Sequence, residues 1–371
     1  MSTRRSVESA NGSLVSRCVR FYQPVLTRVC EFPPAILAYF SGVRSRRQVK
    51  MLHEGILCRL ELGFYHAIIV PLIAFLPAPL AYGIACLQGN LRYHLDRSKR
   101  AALLEGLEGV FSDQLSPAKR IQVTRDFFRL RSCEAVDVMR LAGKGRALAR
   151  LVEVQGLEHV EAALAAGKGA ILCGAHFGSY ISCFSLIGAL GFPITLVGRT
   201  PTKVTRNRTF IERLVYHLFI LKPLVHHWQR PNIQPRGQLE SAVQAADAVR
   251  HNELVGILLD PPVPTVSRPK AVQVNFLGGK ALLLPGTTTI ARLTGAPVLM
   301  TFMRRSQDWR HQVLEISPPI SLEGDAITAF KRCLAVAEKA IRQNPAHWHY
   351  CGKFALSELG LLPELPEPTK V

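Results

Sequence analysis

"AILCGAHFGSYISCF", running from Ala170 to Phe184, places a strand and a helix start side by side. Its first part is a short apolar run, the pattern of a buried strand. The run ends at His176, and Phe177 and Gly178 follow. Similar runs recur as "FPITLVG" (192–198), "LVGILLD" (254–260) and "APVLMTFMR" (296–304). Helical patterns lie between them, at about 179–190, 203–221, 237–251 and 285–295. Strands alternating with helices define an α/β fold, with a mixed, mainly parallel sheet flanked by helices. Ligands of such sheets bind beyond the C-terminal strand ends. Two polar residues stand at such ends, His176 and Asp260.

Residues 1–50 are basic and read as loosely structured, with "SGVRSRRQVK" at their end. Residues 51–96 form a separate segment. From Gly63 to Leu91 there is no Lys, Arg, Asp or Glu, and Pro71, Pro77 and Pro79 interrupt the run. Basic residues flank it on both sides. A spanning helix favours cations on one side only. The symmetry points to a bent or interfacial segment lying on an anionic membrane. The plainer alternative is a helix pair belonging to a soluble core. From 97 to 355 the chain reads as the α/β domain, opening with helices up to about 151 and closing with one at 326–343. The proline-rich tail, 356–371, reads as disordered.

The 371 residues carry 46 Lys and Arg against 27 Asp and Glu, a formal charge of +19. Such an excess implies an anionic partner: nucleic acid, a membrane surface or an acidic carrier protein. Nucleic acid is disfavoured, because zinc-finger spacing, RNP-like aromatic clusters and basic heptads are all missing. A mean hydropathy of +0.14 leans towards a membrane. The nine cysteines contain no C-x-x-C pair, so they do not imply structural zinc; their number is odd, and Cys58, Cys86 and Cys173 sit in apolar stretches. They read as reduced thiols. Paired His226 and His227 lack a third ligand, and no metal or other cofactor is implied.

Together, "GAILCGAHFGSY", "VGR" (197–199), "VGILLDPP", "VNFLGGKALLLPGTTTIARLTGAPVLMTFMRR" and "IRQNPAHWHY" resemble one family. It is that of the bacterial lipid A lauroyl/myristoyl acyltransferases and the relatives that acylate mannosylated phosphatidylinositol. The resemblance spans roughly residues 50–355. It implies a bacterial enzyme on the cytoplasmic face of the inner membrane. It also implies transfer of a fatty acyl chain from a thioester, on acyl carrier protein or coenzyme A, to a hydroxyl of a lipid or glycolipid. The family typically reads His-Phe-Gly-Asn-Trp-Glu. Here His176, Phe177 and Gly178 match, but Ser179, Tyr180 and Ile181 replace the last three.

The substitution at Ile181 matters chemically. A general base must take the acceptor's proton, and an acid partner fixes its tautomer and stabilises the imidazolium. No Asp or Glu lies between Lys168 and Glu212. Asp260 is the replacement candidate, giving His176 and Asp260 as the catalytic pair. A helix-capping or loop-orienting role is the plainer reading of Asp260, and core packing that of Ile181. Candidate substrate-binding residues are Phe177, Gly178, Ser179, Arg199 and Thr287. Arg199 would meet an anionic group, or simply form a surface ion pair. Thr287 opens a helix whose N–H groups suit an anion, or it is a capping threonine. His347 and His349 fall where the family has an aromatic-rich closing strand. The alternative function is a non-catalytic member that binds acyl chains or lipid.

Overall fold

The computed structural model describes residue 64 and residues 68–198, 233, 238–263 and 270–361. Two helices open it, α1 (Val70–Ile73) and α2 (Ala78–Leu95). Pro77, in extended conformation with Pro79 just inside α2, separates them. Asp96 ends α2 and caps α3 (Arg97–Phe111), its carboxylate accepting the Lys99 N–H at 3.0 Å. The long α4 (Pro117–Ala149) follows.

The α/β core then begins with β1 (Val152–Gln155), α5 (Leu157–Ala165), β2 (Ala170–Gly174), α6 (Tyr180–Ala189) and β3 (Ile194–Val197). It continues through α7 (Gln238–Arg250), β4 (Leu254–Leu258), the pair β5 (Val272–Phe276) and β6 (Gly279–Leu283), and α8 (Gly286–Thr294). The last elements are β7 (Val298–Arg305), β8 (Gln312–Pro319), α9 (Ala326–Gln343) and α10 (Lys353–Glu358). The main sheet has the order β1-β8-β7-β2-β4-β3. β7 and β8 pair antiparallel, and the other neighbours pair parallel. This is the mixed, mainly parallel sheet expected from the alternating runs.

β2 sits in the middle with every residue buried, which explains its unbroken apolar character. Alternate side chains serve opposite faces. Ile171 and Cys173 join a core with Ala245, Ile290 and Phe330, from α7, α8 and α9. Ala170 and Leu172 join another with Val160 and Phe184, from α5 and α6. Helices therefore cover both faces.

The expected N-terminal segment docks on α4. Val70, Ile73, Ala81, Tyr82 and Ala85 pack against Cys133, Val136 and Met139. A buried polar knot lies beside them. Arg305 of β7 pairs with Asp137 of α4, and the Tyr82 hydroxyl donates to Asp137 at 2.7 Å. Removing one partner from such a pair costs about 3–5 kcal/mol. Among the described residues no helix is long and apolar enough to cross a membrane.

Several features depart from the sequence reading. The hairpin β5–β6 turns on Leu277 and Gly278, both at positive φ (53° and 83°). Its turn N–H, from Leu277, donates to Glu338 at 3.0 Å. Helix α10 runs across residue 355, and Leu356 and Leu359 just after it are fully buried. The expected closing strand is a 3-10 turn, Pro345–His347, followed by an isolated bridge from Trp348 to Phe177. The expected helix at 203–221, His226 and His227, the region 1–50 and the tail beyond 361 lie outside the described residues.

Candidate active site

Strand register builds the site. β2 and β4 are parallel neighbours, with Gly174 opposite Leu258. Two residues beyond that pair come His176 on one strand and Asp260 on the other. Asp260 is completely buried, while the His176 side chain keeps 17% of its surface exposed. Nδ1 of His176 lies 2.8 Å from Oδ1 of Asp260. The backbone N–H of His176 also donates to both carboxylate oxygens at 3.0 Å. The indole N–H of Trp348 donates to Oδ2 at 2.8 Å.

These contacts assign the tautomer. An ionised carboxylate only accepts, so Nδ1 carries the proton and Nε2 keeps a lone pair. Nε2 has no hydrogen-bond partner among the described residues. Such a ring can take a proton at Nε2, with the charge that develops held next to Asp260. The rings of Tyr180 and Tyr350 flank the imidazole at 4.9 and 4.7 Å between centroids. Burial, then Asp260, pushes the Tyr350 phenol above its ordinary range, so it stays neutral.

The turn after β2 is clamped from two sides. Gly178 has φ +54°, and a Cβ there would run into the Met303 carbonyl of β7. Its N–H donates to the His347 carbonyl at 2.9 Å. The His349 N–H donates to the His176 carbonyl at 2.8 Å. These bonds hold Trp348 and Tyr350 against the pair. Burial, aided by Arg131 and Arg305, lowers His347 to about 3, and its Nε2 accepts the Arg305 N–H at 3.0 Å. His349 is likewise held well below its ordinary range by burial and Arg131. Both are neutral imidazoles at physiological pH.

The other candidates divide. Phe177 is buried, stacked on His347 and edge-on to Phe302. Ser179 is buried, and its hydroxyl donates to Ser182 at 2.8 Å instead of to His176. Thr287 is buried at the start of α8, with its Oγ1 3.9 Å from the Cys173 thiol. Ile181 packs against the core on the α6 side of the sheet, as its apolar character requires. Arg199 lies outside the described residues. The sequence reading missed Trp348 as a partner of Asp260. Its signal was an indole in a segment otherwise read as core packing. Among the described residues no group of three or more His, Cys, Asp or Glu is placed to hold a metal.

The mixed, mainly parallel sheet thus brings a histidine and a buried carboxylate into hydrogen-bond contact beyond its strand ends. The family model for bacterial lipid A biosynthesis acyltransferases matches residues 57–353, and the chain belongs to that family. The family points to acyl transfer onto a lipid-like acceptor. No curated protein matches the chain.

Proposed function

We propose that the chain is an O-acyltransferase that moves a fatty acyl group from a thioester to a hydroxyl of a lipid or glycolipid. The observation that carries this reading is the 2.8 Å contact between His176 Nδ1 and Asp260. It supplies the acid partner that Ile181 does not.

In this mechanism Nε2 of His176 removes the acceptor hydroxyl proton as the oxygen attacks the thioester carbonyl. A C–O bond forms and the carbonyl becomes a tetrahedral oxyanion. Asp260 stabilises the imidazolium and keeps the ring in place. The oxyanion collapses, the C–S bond breaks, and the thiolate takes the proton back from Nε2. The products are an ester and a free thiol. Acyl carrier protein fits the basic chain as the donor's carrier, with acyl-coenzyme A as the other thioester source.

The reaction is placed at a membrane surface, on the cytoplasmic face of the inner membrane. Support comes from exposed apolar side chains on α1, on α2 and on the turn between them: Leu72, Phe75, Leu80, Leu87 and Leu91. Soluble proteins seldom leave so contiguous an apolar strip open without a partner. The deciding experiment follows labelled acyl chain from thioester to lipid with the parent and with His176→Ala. Transfer by the parent that vanishes in the variant supports the reading. Equal transfer by both refutes it.

A further inference from the structure

We propose that Cys86 and Cys133 are a reversible redox pair, one that closes to a disulfide and fastens α2 to α4. The inference is independent of acyl transfer.

The register of the two helices brings the thiols together. The Tyr82 hydroxyl meets Asp137 at 2.7 Å. Cys86 Sγ lies 3.8 Å from Cys133 Sγ. The Ser132 hydroxyl donates to the Gln88 side chain, and Arg129 Nε donates to Asn90 at 2.8 Å. Residue numbers rise along α2 as they fall along α4. The helices therefore run antiparallel, with the thiols inside a series of matched contacts.

The backbones are close as well. Ala81, Ala85 and Gly89 recur at every fourth residue, which puts them on one face of α2, and all three are buried. Helix separation is set by the side chains at the contact, so small ones bring the partner near. At Gly89 the approach reaches its limit: a Cβ there would stand 2.5 Å from the Arg129 Cα. That contact lies one helical turn from the thiols, since Gly89 follows Cys86 as Arg129 precedes Cys133. A disulfide needs Cα atoms about 4.4–6.8 Å apart and an S–S bond of about 2.0 Å. Helices packed backbone to backbone come that near. Closing the 3.8 Å gap takes rotation of the two side chains, without parting the helices.

The two thiols have different chemistry. Among the described cysteines Cys86 alone is partly exposed, and Cys133 is completely buried. The bond from Cys133, then Arg129 and Arg305, draw the Cys86 thiol below its ordinary range against the effect of burial. Burial, then the bond to Cys86, hold Cys133 well above its own. Cys86 is thus the attacking thiolate and Cys133 the resolving thiol. The oxidant is a small-molecule disulfide. Cys86 attacks one of its sulfurs, and the other leaves as a thiolate that takes up the Cys86 proton. Cys133 then attacks the Cys86 sulfur of the mixed disulfide, and its proton goes to the second departing thiolate. The protein loses two electrons and two protons, and the small disulfide becomes two thiols.

The bond would join two working parts of the chain. Leu87, beside Cys86, belongs to the exposed apolar strip. On α4, Arg131 donates to the His347 carbonyl at 3.2 Å, next to Trp348. The thiols are 47 positions apart in the chain. Closing so long a loop restricts the unfolded chain strongly. In a reducing compartment such bonds are transient and sense the redox state.

The test uses the full chain in detergent, equilibrated in glutathione buffers of graded oxidised-to-reduced ratio. The chain is then denatured, its remaining thiols are alkylated, and it is digested without reductant for mass spectrometry. A peptide joining Cys86 to Cys133 is expected, lighter than its two parts by two hydrogens and split by dithiothreitol. Cys183 and Cys351, fully buried and pushed up to about 12 by burial, should be recovered as alkylated thiols. The oxidised parent should melt on the order of 5 °C above the reduced parent. Cys86→Ser should show no such difference. The two states of the parent are compared without any substitution, so a poorly folding variant does not affect the reading. A chain that stays reduced at the most oxidising ratio overturns the inference. So does one that joins Cys86 to a different cysteine, or one that forms the bond without a rise in melting temperature.

Discussion

Trp348 donates its indole N–H to the Oδ2 of Asp260, while Oδ1 of the same carboxylate faces His176. One side chain from the end of the chain thus fixes the carboxylate that fixes the base. Without that bond the carboxylate keeps the His176 backbone N–H and the ring, but loses one restraint on its rotation. Trp348→Phe should therefore lower kcat about tenfold, at about 1.4 kcal/mol, with KM little changed. Asp260→Asn should cost far more, because it removes charge as well as geometry. A Trp348→Phe enzyme that folds and keeps full kcat would show the indole to be packing alone.

The pH dependence of stability has two opposed sources. Glu134 is raised to about 7 by burial, so the folded state holds its proton where the unfolded state has lost it. Its contribution is full below the ordinary glutamate range and is lost as pH rises through about 7. His347 is lowered to about 3, so the unfolded state binds a proton first as pH falls. Its contribution is full above the ordinary histidine range and is lost towards pH 3. Glu134→Gln removes only the first effect. The unfolding free energy of the variant, relative to the parent, should rise from about pH 5 to about pH 8 by on the order of 1–3 kcal/mol, read as a growing difference in melting temperature. A difference that stays flat or falls across that range would contradict the assignment.

The membrane reading rests on apolar burial, not on charge. Leu87 is 68% exposed and Phe75 78% exposed, so most of each apolar side chain faces away from the protein. Phe75→Ser with Leu87→Ser should weaken binding to anionic vesicles by about 3 kcal/mol or more, at roughly 1.5–3 kcal/mol per buried side chain. Salt should release the parent poorly, because it screens charges but leaves apolar burial intact. Flotation of both proteins with vesicles, at low and high salt, measures this. Complete release of the parent by salt would leave only an electrostatic attachment.

Strands β2, β4 and β7 were legible because continuous apolar runs have few other uses at that length. Their pairing was not legible. Nothing local to residues 170–176 or 254–260 says that β4, not β3, lies next to β2, and the meeting of His176 with Asp260 depends on that order. Asp260 was a candidate from its position at a strand end; its partnership is a matter of register. Trp348 is 88 residues from Asp260 in sequence, so the indole bond had no local signal. The β5–β6 hairpin did have one. "VQVNF" and "GKALL" flank Leu277-Gly278, and a glycine-containing two-residue turn between short strands is a hairpin pattern. The short apolar stretches masked it.

The last prediction returns to Ile181. If Asp260 serves the imidazole, then His176→Ala and Asp260→Asn should each cut acyl transfer by about 10²–10⁴-fold, the range for losing a base or its orienting acid. The double variant should be little worse than the worse single one, since groups that act as a unit are not additive. Restoring the family's glutamate as Ile181→Glu should not help. The Nδ1 proton is already engaged at 2.8 Å, and Ile181 is packed against the core. A carboxylate there would lose apolar contact, at about 1–3 kcal/mol of stability. Rates of acyl transfer for the four variants, with melts alongside, separate the two acids. A large gain from Ile181→Glu with no loss from Asp260→Asn would mean that the buried Asp260 only orients its loop, and that the site has lost the acid it once used.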